Sequence, residues 1–186
     1  MTRKKIIIGI AVVLLVAIVC CVHLIRENYR LGLEFYNAVN YTSVESVRIA
    51  DGIAYMQMQF EKPDLDYDTL GSSRHAFDQA IVSTQWLDGF AYDNRTFTEE
   101  VCNQYNARFV QLYHLVCNDL DNARLIELFT DPEKAQQMEE LEEKLNIMTQ
   151  WCVDFRERYN QMSDWERCFH SWEEERQILS EKVRFP

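Results

Sequence analysis

Residues Ile6 to Ile25 read IIIGIAVVLLVAIVCCVHLI, a run of 20 positions with no charge at neutral pH beyond a fraction on His23. At 1.5 Å of rise per residue, a helix of that length covers about 30 Å, the thickness of a bilayer's hydrocarbon core. Lipid offers no hydrogen bonds to a bare backbone, so helix is the one viable state there. Arg3, Lys4 and Lys5 precede the run. A cleaved signal peptide would share this basic start but would end in small residues before a cut. Val19-Cys20-Cys21-Val22-His23 offers no such site, and Val19 stands where a lipoprotein needs a small residue. The segment therefore reads as an uncleaved signal-anchor.

Orientation follows the excess of cations on the cytoplasmic flank. Three cations lie before the span, against Arg26 and Arg30 interleaved with Glu27 after it. The expected plan is a cytoplasmic tail at 1–5, a transmembrane anchor at 6–25 and an extracytoplasmic domain at 26–186. That domain carries 16 basic residues against 30 acidic ones, a net charge of −14. Anionic lipid headgroups would repel it, so it is expected to stand off the membrane.

Moving outward, the composition narrows the class. The whole chain has 186 residues, a net charge of −11 and a pI near 4.8. Nucleic-acid binders show a basic footprint instead. Only 5 Gly and 3 Pro leave too few turns for a many-stranded β fold or a Gly-rich phosphate loop. Apolar residues at 47% suffice for a packed core.

Apolar spacing of three and four predicts helices. The first continues from the anchor over Glu27 to Glu61, with Tyr29, Leu33, Tyr36, Val44, Val47, Ala54 and Met58 along its seam, and stops at Lys62-Pro63. A second is expected over Arg74 to Phe90. A third starts at Thr98-Glu99-Glu100, a capping hydroxyl followed by first-turn acids, and runs to Phe129. Asp131 before Pro132 either caps the fourth helix or starts a short loop. That helix carries Met138, Leu141, Leu145, Met148, Cys152, Phe155, Tyr159 and Met162, continuing through Phe169, Trp172, Leu179 and Val183. Such a heptad seam of about 40 residues is that of a long bundle or coiled-coil helix. The expected fold is all-α: a transmembrane helix followed by an up-and-down antiparallel four-helix bundle.

Cys20 and Cys21 fill space in the span. If helices three and four form a hairpin, residues at one height share a constant index sum, and Cys102 with Cys168 and Cys117 with Cys152 agree to within one. Two disulfides could then staple the hairpin outside the cytoplasm. A turn at Asp131-Pro132 centres the hairpin three or four residues too early, however, and the alternative is buried free thiols. No Cys-x-x-Cys occurs.

Catalytic motifs are missing: there is no Walker loop and no Gly-x-Ser-x-Gly. Glu166 and His170 lie four apart, and the hairpin register sets Glu100 beside them, but no second His completes a usual metal set. We expect no metal, no cofactor and no enzyme activity. The acid run Glu139-Glu140-Leu141-Glu142-Glu143 reads as a solvated face. Trp151, Trp165 and Trp172 either widen the buried face or form a contact patch, and the core reading weighs more. Asn40-Tyr41-Thr42 and Asn94-Arg95-Thr96 match the glycosylation pattern.

DPEKAQQMEELEEKLNIMTQWCVDFRERYN, Asp131 to Asn160, resembles the final bundle helix of the LemA family. Asp131, Met138, Leu141, Glu143, Leu145, Arg156, Tyr159 and Asn160 match its pattern, and Tyr36-Asn37 is similar to the pair opening its first helix. The family's second Tyr-Asn is Glu166-Arg167 here. The resemblance implies a membrane-anchored helical bundle and adds no catalytic residue. The leading functional expectation is a single-pass membrane protein working through protein contacts, as a partner-binding domain, homo-oligomer or envelope scaffold. Helix-face recognition by the fourth seam or the Trp-rich end would be its mechanism. The alternative is a metal-binding or enzymatic bundle at the membrane.

Overall fold

A computed structural model describes residues 3–61, 96–117 and 122–185, with side chains over 6–61, 96–109 and 126–185. The described residues are helical without a strand. They form α1 (Arg3–Phe60), α2 (Glu99–Cys117), α3 (Asn122–Thr130), α4 (Pro132–Gln161), α5 (Asp164–Phe169) and α6 (Trp172–Val183). The expected second helix, Arg74 to Phe90, lies outside the described residues.

α1 is one unbroken helix of 58 residues, about 87 Å long. Two environments divide it. Every side chain from Ile6 to Leu24 is exposed, and Ile25 is the first to be half-covered. One helix is thus long and apolar enough to cross a membrane. From Gly32 onward a face at three/four spacing is buried: Phe35, Val39, Ser46, Ile49, Ile53 and Met56.

This face is not the expected one. Leu33, Val44, Val47 and Met58 are exposed, whereas Ala38, Thr42, Ser43, Ser46 and Ala50 are buried. Small side chains let a neighbouring helix approach closely, and the Ser46 hydroxyl is satisfied within the helix, its Oγ donating to the Thr42 carbonyl at 2.7 Å. Large aliphatics alone therefore misplace the seam.

α4 lies along α1 and completes the core. Asp131 is its N-cap, with Oδ1 accepting from Glu133 N at 3.1 Å and Lys134 N at 3.0 Å. Pro132 occupies the first turn, where its missing N–H costs nothing. Met138, Leu141, Leu145, Met148, Cys152, Phe155 and Tyr159 are buried, as their spacing predicts. Tyr36 stacks on Tyr159 at 4.3 Å, Phe35 meets Phe155 edge-on at 5.2 Å, and Phe60 stacks on Phe129 at 5.2 Å. Partners late in the chain thus pair with early positions of α1.

The expected 40-residue seam does not continue as one helix. α4 stops at Gln161, and Met162 turns extended (φ −70°, ψ 136°). Ser163 then starts α5 with a reciprocal cap: its hydroxyl accepts from Glu166 N, while Glu166 Oε2 accepts from Ser163 N at 2.7 Å. Ser171 caps α6 one way, its hydroxyl accepting from Glu174 N at 3.3 Å. Two Ser-x-x-Glu signals outweigh the apolar period. α6 climbs back to α2. Thr98 N donates to Ser180 Oγ at 2.8 Å, Tyr105 OH donates to the Val183 carbonyl at 2.9 Å, and Arg108 lies 3.6 Å over the Phe185 ring.

Candidate functional site at the foot of the domain

Asn28 stands three residues beyond the apolar run. Its Nδ2 donates to the Cys168 carbonyl at 2.8 Å and to the His170 carbonyl at 3.1 Å. These are carbonyls at the end of α5, which a short helix leaves without partners. In return Trp172 Nε1 donates to the Asn28 carbonyl at 2.9 Å. One turn on, Gly32 faces the Trp172 indole, and any Cβ there would overlap the ring. The glycine is needed for that close approach.

Behind Trp172 lies a buried carboxylate. Glu175 is 7% exposed. Its Oε2 accepts from Arg158 Nη2 at 2.8 Å, and its Oε1 meets His170 Nε2 at 3.1 Å. Such a charge persists in a core only when paired. Arg167 donates to the Tyr159 carbonyl at 3.0 Å, with its guanidinium 4.4 Å over the Tyr159 ring. The cluster joins α1, α4, α5 and α6. Both oxygens of Glu175 are thus engaged, and the cluster holds the domain's lower corner to the root of α1.

The three tryptophans separate. Trp151 and Trp172 are each 6% exposed and belong to the core. Trp165 is 69% exposed and packs on Phe169, 58% exposed, with ring centroids 4.7 Å apart. The core reading thus fits Trp151 and Trp172, while Trp165 lies exposed beside Phe169. The expected seam is buried from Met138 to Tyr159 and exposed at Phe169.

Neither disulfide forms. Cys102, Cys152 and Cys168 are free thiols, the first two buried and the third half-buried; the Cys117 side chain lies outside the described residues. The register argument needed one straight helix from Asp131 past Cys168. The break at Met162 takes Cys168 to Asn28 instead, and Cys102 packs under the Phe97 carbonyl at 3.9 Å. Cys20 and Cys21 are exposed on the apolar run of α1.

Burial pushes the Cys102 thiol up to about 11 and Cys152 to about 12, because a thiolate there would lose its water. Two outcomes follow. Near pH 8, a maleimide is expected to spare both thiols until denaturant is added, since the thiolate is the nucleophile; rapid native labelling of Cys152 contradicts its placement. Stability is expected to fall in alkali. The unfolded thiol ionises near 9.0 while folded Cys152 stays protonated until about 12. Its stabilisation is therefore complete below the lower value and is lost across that window, at up to about 1.4 kcal/mol per pH unit. A Cys152→Ala variant with the same alkaline slope would contradict this.

Glu100, Glu166 and His170 are not brought together. Glu100 pairs with Arg184 at 2.8 Å, Glu166 caps α5, and His170 meets Glu175. Among the described residues no three His, Cys, Asp or Glu side chains form a metal-binding group. In the acid run, Leu141 is buried, Glu139 and Glu143 are exposed, and Glu140 and Glu142 are half-covered. Burial first, then the charge of Glu139, raises the Glu142 carboxyl. Asn40-Tyr41-Thr42 lies inside α1 with Thr42 fully buried, a poor glycosylation acceptor, which favours a surface loop. Asn94 lies outside the described residues.

No protein-family model matches the chain, and no curated protein or solved structure matches it either.

Asn28, Gly32, Arg158 and Glu175 were not singled out in the sequence, and Phe169 was read there only as a seam position. Ser163-x-x-Glu166 and Ser171-x-x-Glu174 were readable there as caps, and they would have placed a corner between α4 and α6. Gly32 inside an apolar helix also hinted at a close contact.

Proposed function

We propose that the protein is a single-pass membrane protein whose helical domain serves protein contacts, as a scaffold without catalysis of its own. Ile6 to Ile25 spans the bilayer, and the bulk of the chain lies outside the cytoplasm. The observation that carries this reading is the continuity of α1. One helix supplies both a bare apolar rod from Ile6 to Leu24 and the central wall of the core from Phe35 to Met56. The domain is thus rigidly fixed to its anchor. Its net charge of −14 after residue 25 suits a partner with a basic contact face.

The domain itself we take as an up-and-down antiparallel four-helix bundle. In support, pairings between α1 and later helices run Tyr36 with Tyr159, Ser46 with Met148 and Phe60 with Phe129. Kinship with the LemA family, carried by Asp131 to Asn160, belongs to the same reading.

An impermeant maleimide on intact cells tests the topology. Cys168 is half-buried and free, so labelling that vanishes in Cys168→Ser is expected before lysis. Labelling that appears only after lysis overturns the orientation. Cross-linking in native membranes tests the role, and a chain that stays monomeric with no cross-linked neighbour contradicts it.

A further inference from the structure

We infer that Trp165 and Phe169 of α5 seat in the headgroup layer of the membrane that α1 crosses, giving the domain a second lipid attachment. The inference rests on the proposed span. Height is its first support. Asn28 follows Ile25 by three residues, about 4.5 Å along a helix axis, and the interfacial layer on each side of a bilayer is about 5–7 Å deep. Two hydrogen bonds from Asn28 hold the end of α5 at that level.

Chain direction is the second support. α4 descends toward the root of α1, with Tyr159 stacked on Tyr36. α6 climbs away, with Trp172 against Gly32 and Val183 against Tyr105. α5 is the corner between them, and Ile25 is where the domain first covers α1.

Exposure is the third. Trp165 and Phe169 are four apart on one face, in ring contact, and open to the outside. The polar groups between them are committed elsewhere: Glu166 to the Ser163 cap and Arg167 to Tyr159. Aromatic rings concentrate at this depth in membrane proteins because an apolar body and a polar edge suit the layer. Acidic side chains make uncharged headgroups the fitting surface, since anionic ones repel this domain. The domain therefore touches lipid at one aromatic corner.

The full chain, reconstituted in phosphatidylcholine vesicles, provides the test. Trp165→Phe alters an exposed ring, so the fold is retained, and the fluorescence difference from the unaltered chain isolates Trp165. Lipids brominated near the headgroup end of their chains are expected to remove most of that difference signal, while aqueous iodide leaves it. Quenching by iodide and not by bromine overturns the inference and leaves the span intact. Quenching by neither means that protein, such as a second copy, covers the corner, and overturns it too. Failure of the chain to float with vesicles at all removes the span itself, a separate result.

Discussion

Phe155→Ala is expected to lower the unfolding free energy by about 3–5 kcal/mol. Phe155 is fully buried. Phe35 meets it edge-on at 5.2 Å, Trp151 stacks on it at 5.2 Å, and Trp172 stands edge-on at 6.5 Å. Truncation forfeits the transfer of a ring from water and leaves a hole lined by large, interlocked side chains that collapse poorly. Ring–ring terms worth about 0.5–1.5 kcal/mol each add to the loss. Natural domains hold only about 5–15 kcal/mol in all, so the fraction folded should change visibly. Urea unfolding in detergent, followed by near-ultraviolet dichroism, measures it. A cost under about 1 kcal/mol, the range of ordinary surface changes, would remove Phe155 from the centre of the core. Trp165→Ala is the matched control, with a change within about 0.5 kcal/mol.

Leu15→Asp combined with Val16→Asp is expected to abolish membrane retention. These two positions lie at the middle of the apolar run and are exposed on α1. At a span centre each Asp costs about 2.5–3.5 kcal/mol, and each lost aliphatic a further 0.3–0.6. The pair therefore opposes insertion by about 6–8 kcal/mol. Alkaline carbonate extraction of membranes reads the outcome. The unaltered chain should stay in the pellet and the double variant should leave it. A variant that remains embedded would show that some other part of the chain carries the attachment. Because neither residue touches the core, the folded domain should survive the change, and its unfolding midpoint in detergent provides the check.

The two substitutions probe features that differed in legibility. The long apolar N-terminal helix was plain in the sequence, because an unbroken run of 20 apolar positions has few other states. So was the buried face of α4, whose Met138, Leu141, Leu145 and Met148 obey a strict period, whereas Asp131 before Pro132 left a cap and a short loop both open, and the cap is what forms. The face of α1 was not. Its core positions include Gly32, Ala38, Ser43 and Ser46, and close helix contact selects such small residues without leaving an apolar signal. The site at the foot of the domain was hidden for another reason. It joins Asn28 to Cys168 and His170 across about 140 positions, and no local pattern reports such a pairing. The corner that creates it was signalled by two serine caps and by slips of the apolar period at Glu166 and Arg176, and the resumption of that period at Phe169 and Trp172 masked it.

α1 contains no proline between Arg3 and Phe60, and Trp172 fills the space at Gly32 where a bend could start. Phe60 stands 35 residues past Ile25, about 52 Å along the helix axis. Spanning helices lean by about 20° on average, and more in thinner bilayers. Through so stiff a rod, that lean carries Phe60 about 18 Å sideways. With α1 as the proposed span, Phe60 would act as a pointer, translating local bilayer thickness into lateral position.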